Sequence, residues 1–152
     1  MDAGEMTRYI CETFDGVNLL EANGDSFFVY DPDRDLPAER QLPFATIVTG
    51  DHYDNASALG RPGAWRLNIG LTRSAYDALF PRRADPGTDV DHTAPDVLLP
   101  HPVYASQHWV CVVNPDAATG EAVRRLLAGA YDFAARKHAK HRARHRGSAA
   151  PR

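Results

Sequence analysis

Apolar residues recur along this chain at two spacings, one typical of helices and one typical of strands. Asp2 and Glu5 are spaced as a helix capping box, and Met6, Ile10 and Phe14 then share a helical face. A second helical stripe begins at Val123 and continues through Leu127. Between them, "VNLLEANGDSFFVY" sets two apolar runs around Asn-Gly, a strong β-hairpin signal. The β-branched run "FATIVTGD", the alternating run "WRLNIGL" and the continuous run "HWVCVVN" predict three more strands.

The predicted order is α-β-β-β-β-α-β-α, without an internal repeat. Short connections of the hairpin kind favour a mainly antiparallel sheet, with the N- and C-terminal helices packed on one of its faces. The last helix is expected to open at Asn114-Pro115, which can serve as its cap and first turn. The sequence therefore predicts an α+β fold, and 152 residues are enough for one domain.

Charge is distributed unevenly along the chain. The net charge is -3, yet residues 136–152 hold seven of the 17 Lys and Arg residues and no acid, which leaves a body with ten basic and 20 acidic side chains. Residues 1–137 are expected to form the domain and residues 138–152 a disordered basic tail. Nucleic acid would be attracted by this tail only and repelled by the acidic body.

The N terminus lacks the basic-then-apolar pattern of a secretory signal, and no apolar run approaches the ~20 residues of a membrane span. We therefore expect a cytoplasmic protein with no membrane association. Cys11 and Cys111 have apolar neighbours and are expected to be buried free thiols.

The segments "EANGDSFFVYDPDRDLP", "PFATIVTGDHYD", "WRLNIGLTRSAYDALF" and "HPVYASQHWVCVVNP" together resemble an uncharacterised family, a domain of unknown function found in small proteins of high-GC bacteria. The resemblance covers about residues 6–137. More loosely, the layout is similar to the MmcQ/YjbR-like proteins, whose fold is of the CyaY type. That second resemblance implies a binding module and a DNA-binding role.

The segment "HPVYASQHWVCVVNP" contains the strongest candidates for chemistry. Pro102 biases His101 towards extended backbone, which displays its imidazole at a loop. His101 is thus either a general base, ligand donor or metal ligand, or a loop histidine that hydrogen-bonds a backbone carbonyl. By strand alternation, Trp109 and Cys111 are expected in the core, and Tyr104 near His101.

Two further sets of polar residues lie near predicted strand ends. Arg66 and Asn68 share the polar face of one strand, where they either bind an anion, or coat a solvated face or pair with Asp31 or Asp51. Asp51 and His52 follow another strand. No spacing of His, Cys, Asp or Glu matches a metal signature, so neither a metal nor another cofactor is expected.

The chain has no glycine-rich phosphate loop, no GxSxG nucleophile motif and no CxxC. Two classes of function remain. One is a binding module for a small ligand, a protein partner or DNA. The alternative is a small enzyme that uses His101 with a carboxylate of the Asp51–Asp54 loop, and the sequence leaves open whether the protein is an enzyme.

These candidates are expected to share one site. The predicted pocket has His101 and Asp51 as its catalytic pair, if there is one, and a ligand-binding set of Arg66, Asn68, His52 and Tyr104. The long acidic segment from Arg82 to Pro100 is expected to fold over this pocket as a lid.

Overall fold

The computed structural model describes residues 1–81 and 90–148, with side chains to residue 144. It contains three α-helices and one six-stranded antiparallel sheet of order β1-β2-β3-β4-β6-β5. The elements are α1 (Ala3–Thr13), β1 (Val17–Ala22), β2 (Asp25–Tyr30), β3 (Ala45–Val48), β4 (Arg66–Gly70), α2 (Arg73–Leu79), β5 (Leu99–Pro100), β6 (Trp109–Val113) and α3 (Gly120–Ser148). The α+β prediction is confirmed.

The local signals that define α1 and the first hairpin act as expected. Asp2 and Glu5 form a reciprocal capping box, which satisfies backbone N–H groups at the start of α1. β1 and β2 pair from Val17↔Tyr30 to Ala22↔Asp25, which leaves Asn23 and Gly24 as a two-residue turn. Their φ angles are 56° and 82°, as a turn of this kind requires.

The hydrophobic core lies between one face of the sheet and the helices. Alternate residues of β3, β4 and β6 point to this face, and they form one cluster with the apolar sides of α1 and α3. Fully buried members include Ile10, Ile47, Leu67, Val112 and Leu127. The opposite face of the sheet carries the polar residues of β4.

The structure corrects the expected start of the last helix. Asn114 has a φ of 45°, in the left-handed region, and its side chain bonds the backbone of Gly63 and Trp65, so the chain turns there. Asp96 accepts hydrogen bonds from the backbone N–H groups of residues 116, 118 and 119 just before α3. The helix therefore begins at Gly120, six residues after the predicted cap.

α3 continues beyond the predicted domain boundary at residue 137. The helix ends at Ser148, and Arg142 forms ion pairs with Asp33 and Asp35 of the β2–β3 connection. The boundary, and the disorder of residues 138–152 in solution, stay predictions. Among the described residues, no helix is long and apolar enough to cross a membrane.

Two other expectations were wrong. Cys11 is exposed on α1, whereas Cys111 is buried as expected. Trp109 is only half-buried and lies on the open face of the sheet, because Val110 and Val112 are the residues of β6 that join the core. Residues of β6 do alternate between the two faces, but the valines and not the larger tryptophan lie on the core face.

Truncation of Leu127 tests the packing of α3. Its side chain is completely buried in the core cluster. We expect Leu127→Ala to lower the free energy of unfolding by about 2–5 kcal/mol, because the lost contacts leave a cavity that the core can only partly fill. Urea unfolding measures the loss. A change of less than ~0.5 kcal/mol, the range of ordinary surface substitutions, would contradict the packing described here.

Candidate ligand-binding site

A cavity of about 720 Å³ begins on the open face of the sheet and extends past the strand ends to α3. This volume lies within the range of small-molecule sites. Aromatic residues of β2, β6 and two loops line the sheet-face part, and a polar floor lies between them. The aromatic side chains are Phe27, Tyr53, Tyr104 and Trp109.

The floor is built around a fully buried arginine. Arg66 is 2% exposed, and its guanidinium forms two parallel hydrogen bonds to Asp54, at 3.0 and 2.8 Å. It also donates to Ser57 Oγ and, through Nε, to Asn68 Oδ1. A bidentate bond of this kind is among the strongest that proteins form. The hydrogen bond from Arg66 holds the pKa of the Asp54 carboxyl below its usual value.

The polar chain continues across the sheet. Asn68 Nδ2 donates to Thr46 Oγ1 at 3.0 Å, so the side chains of β4 and β3 are linked above the backbone ladder. Asn68 is 3% exposed. Its side-chain oxygen is used by Arg66 and its nitrogen has one partner in Thr46. Arg66 and Asn68 therefore lie under loops rather than on a solvated face, and the carboxylate partner is Asp54, not Asp31 or Asp51.

The loop between β3 and β4 positions Asp54 by its own backbone contacts. Asp51 accepts a hydrogen bond from the backbone N–H of Leu59 at 2.9 Å, which closes the loop. Asp54 accepts another from Ala56 N–H. Leu59 is buried, so it anchors the far end of the loop. Asp51 thus acts on the loop and is not among the residues that line the cavity.

His52 also lies outside the cavity lining. Its Nε2 is 3.0 Å from Oδ2 of Asp25, a carboxylate that is completely buried at the start of β2. Thr49 donates to the other oxygen of Asp25 from both its backbone N–H and its hydroxyl. His52 therefore fastens the loop to the first hairpin, and its ring packs against Tyr53 on the cavity wall.

His101 and Tyr104 form the opposite wall. The backbone N–H of His101 bonds Trp109 O, which extends the pairing of β5 with β6 by one residue. His101 Nδ1 then accepts two hydrogen bonds, from Val103 N–H and Tyr104 N–H, each at 3.0 Å. The two rings lie 5.1 Å apart between centroids. The expected partner was a backbone carbonyl, whereas the ring accepts from backbone donors.

Burial determines the charge of His101. Its side chain is 5% exposed, and burial lowers its pKa to about 4, with the nearby Arg66 acting in the same direction. The ring is therefore neutral near pH 7. An Nδ1 that accepts two N–H groups has no proton, so the proton of the neutral ring lies on Nε2. His101 accordingly has one ring donor, Nε2–H, and its other ring nitrogen is already used as an acceptor.

Trp109 closes the floor beside β4. Its indole ring lies over Gly70, where a Cβ atom would be only 2.9 Å from two ring carbons. Cys111, the next residue of β6 on the same face, is buried beneath this layer, and burial raises the pKa of its thiol to about 12. The thiol is therefore protonated and unreactive at neutral pH.

Four of the six predicted site residues line this one cavity: Arg66, Asn68, His101 and Tyr104. Their catalytic or binding roles stay predictions, as do those of Asp51 and His52. The sequence analysis missed Asp54 as the ion-pair partner and the aromatic walls. Of the predicted lid, residues 82–89 lie outside the described residues. Among the residues that are described, no group of His, Cys, Asp or Glu is arranged to hold a metal ion.

The chain belongs to a family of unknown function (DUF6194), whose model matches residues 1–143. The expectation of an uncharacterised family is thus confirmed, and the match reaches past residue 137 into the C-terminal part of α3. No curated protein and no solved structure matches the chain.

The buried ion pair predicts an asymmetric mutational response. Asp54→Ala should lower the free energy of unfolding by about 3–5 kcal/mol, because it leaves the charge of Arg66 buried and unpaired. The double variant Asp54→Ala/Arg66→Met removes both charges and should recover most of that loss. Urea titrations of the two variants and the wild type measure the difference. Equal destabilisation in both variants would contradict the account of the floor.

The depressed pKa of His101 predicts a dependence of stability on pH. In the unfolded chain this histidine binds a proton below about pH 6.5, whereas in the folded chain it stays neutral down to about pH 4. Stability from this source is therefore complete above pH 6.5 and is lost as the pH falls towards 4. Between pH 7 and pH 4, the wild type should lose roughly 2–3 kcal/mol more than His101→Asn, which has no titrating ring. The free energy of unfolding of each protein is measured by urea titration at several pH values. If it changes with pH equally in the two proteins, His101 is not buried in its neutral form.

Proposed function

We propose that this protein is a binding module for a small organic molecule, and that the flat, apolar part of the ligand packs between the aromatic walls of the cavity. The observation that supports this most directly is that the site has a polar part without free hydrogen-bonding groups and an aromatic part that is accessible. Its polar floor is bonded within the protein from Asp54 to Thr46, whereas the ring edges above it remain accessible. Tyr53 and Tyr104 are 55% and 48% exposed although they line a cavity.

Aromatic rings of this kind are suited to a flat ligand. Phe27 and Tyr53 meet edge to face with centroids 6.3 Å apart, and the Trp109 ring lies close against Gly70. Offset and edge-to-face ring contacts contribute about 0.5–1.5 kcal/mol beyond the burial of apolar area. Two or three such contacts would be enough for a specific, moderate affinity without any charge on the ligand.

The enzymatic alternative has less support. An acid–base pair of His101 with a carboxylate needs a ring nitrogen that can take up a proton. Nδ1 is occupied by two backbone donors, Nε2 has the proton, and the nearby carboxylate of Asp54 is committed to Arg66. We therefore favour binding over catalysis.

Nucleic acid is also a weaker candidate as partner. The basic tail is the part of the chain that would attract it, yet Arg142 pairs with Asp33 and Asp35 of the protein itself. The MmcQ/YjbR-like resemblance, the DNA binding that it implies and a protein partner stay predictions. We further propose a cytoplasmic location, which the two free thiols support because reducing compartments keep cysteines unpaired.

The proposal is tested by titration with naphthalene, a flat and uncharged probe. We expect the indole N–H signal of Trp109 to shift in ¹H–¹⁵N spectra, while that of Trp65, which is buried in the core, stays in place. Tyr104→Ala should weaken binding about three- to tenfold, the effect of one lost ring contact.

Val97→Ala is the matched control, because Val97 is also an exposed apolar residue but does not line the cavity. It should bind naphthalene as the wild type does. Absence of a Trp109 shift at saturating naphthalene, or equal weakening by both substitutions, would refute a ligand site on this face.

A further inference from the structure

One hydrogen-bond donor in the cavity wall has no partner among residues 1–81 and 90–148. His101 is 95% buried, since 5% of it is exposed, and its Nδ1 accepts from Val103 and Tyr104. In the described parts of the chain, no acceptor is bonded to its Nε2–H. Nε2 is not one of the fully buried polar atoms without a partner, so it is reached from the open cavity, and a ligand acceptor that replaces water there adds a hydrogen bond. This ring is also rigid, because two backbone bonds fix the imidazole in a single orientation.

The charge around this donor is already balanced. Both terminal nitrogens of Arg66 donate to Asp54, and Nε donates to Asn68. The guanidinium therefore has no free pair of donors for an incoming carboxylate or phosphate. An anion would also meet the carboxylate of Asp54 at close range. The electrostatics therefore favour an uncharged group beside His101.

The other cations of the lining do not change this conclusion. Arg40 lies on the β2–β3 connection and Lys137 on α3, next to His138, which contacts Tyr30 of β2. His101 follows β5, which β4 and β6 separate from β2 and β3 in the sheet order. Arg40 is exposed and therefore hydrated, and the Lys137 ammonium lies over the Phe133 ring, 4.3 Å from its centroid, where partial burial lowers its pKa.

We propose that the ligand presents an uncharged hydrogen-bond acceptor, a carbonyl oxygen or an aromatic ring nitrogen, to Nε2–H of His101 while its flat part packs against Tyr104 and Trp109. This inference rests on the proposed function and narrows the class of ligand to neutral, planar carbonyl or heterocyclic compounds. It gives His101 a role in the selection of ligands through a fixed tautomer.

The test compares three probes of similar two-ring shape. Coumarin has a carbonyl oxygen and naphthalene has none, and coumarin-3-carboxylate adds a negative charge. Each is titrated into the full-length protein at pH 7, and the dissociation constant is read from the Trp109 indole signal. We expect coumarin to bind roughly three- to tenfold more tightly than naphthalene, as one added hydrogen bond allows, and the carboxylate to bind more weakly than coumarin.

His101→Asn separates the two nitrogens of the ring. The Asn side-chain oxygen can take the place of Nδ1 as acceptor for the backbone N–H groups, whereas its NH2 group is attached one bond nearer the backbone and does not reach the position of Nε2–H. The coumarin-to-naphthalene ratio should fall to about one in this variant. His108→Asn is the matched control: His108 does not line the cavity, and its φ of 69° suits Asn. The ratio should stay at its wild-type value there.

A measurement on the wild type alone guards against a variant that does not fold. The ¹⁵N signals of the His101 ring distinguish a protonated Nε2 from a protonated Nδ1, and coumarin should shift the Nε2 signal most. Equal affinities for coumarin and naphthalene in the wild type, or tightest binding by the carboxylate, would overturn the inference but leave the proposed function in place. If none of the three probes shifts Trp109, both proposals fail.

Discussion

The buried ion pair between Arg66 and Asp54 is the interaction on which the open face of this sheet depends. An arginine in the middle strand of a sheet cannot be buried unless its charge and its donors are satisfied. Here a loop is closed by Asp51 so that Asp54 reaches the guanidinium, and Asn68 and Ser57 satisfy further donors. The consequence is a buried polar layer whose hydrogen bonds are made within the protein and do not require a ligand. This layer supports the cavity with aromatic walls that lies above it.

Much of the fold followed from short-range physics in the sequence. The capping box at Asp2, the Asn-Gly turn and the helical stripe through Leu127 each specify their element locally, and these predictions agree with the structure. Prediction failed where a long-range contact decided the outcome. Asn114 could not be recognised as a left-handed residue that bonds Gly63, and Asp96 could not be recognised as the residue that holds the start of α3 from about twenty positions away.

In the candidate site, too, prediction from the sequence failed where long-range contacts decide the arrangement. Alternation along β4 was enough to place Arg66 and Asn68 on one face, and the Pro102 signal was enough to place His101 at a loop. The sequence could not identify Asp54 as the partner among several nearby acids, because that choice depends on how one loop folds over the sheet. Nor could it give the tautomer of His101, which is determined by two backbone N–H groups that only the turn at residues 101–104 brings together.

Gly70 controls more than the position of one indole ring. Since any β-carbon at this position would meet the ring of Trp109 at 2.9 Å, the absence of a side chain there fixes how deep the cavity is on the β4 side. The dimensions of the site are therefore encoded at a residue that offers a ligand no functional group. For the ligand that we propose, size and polarity are then determined at different residues, the size at position 70 and the polarity at position 101.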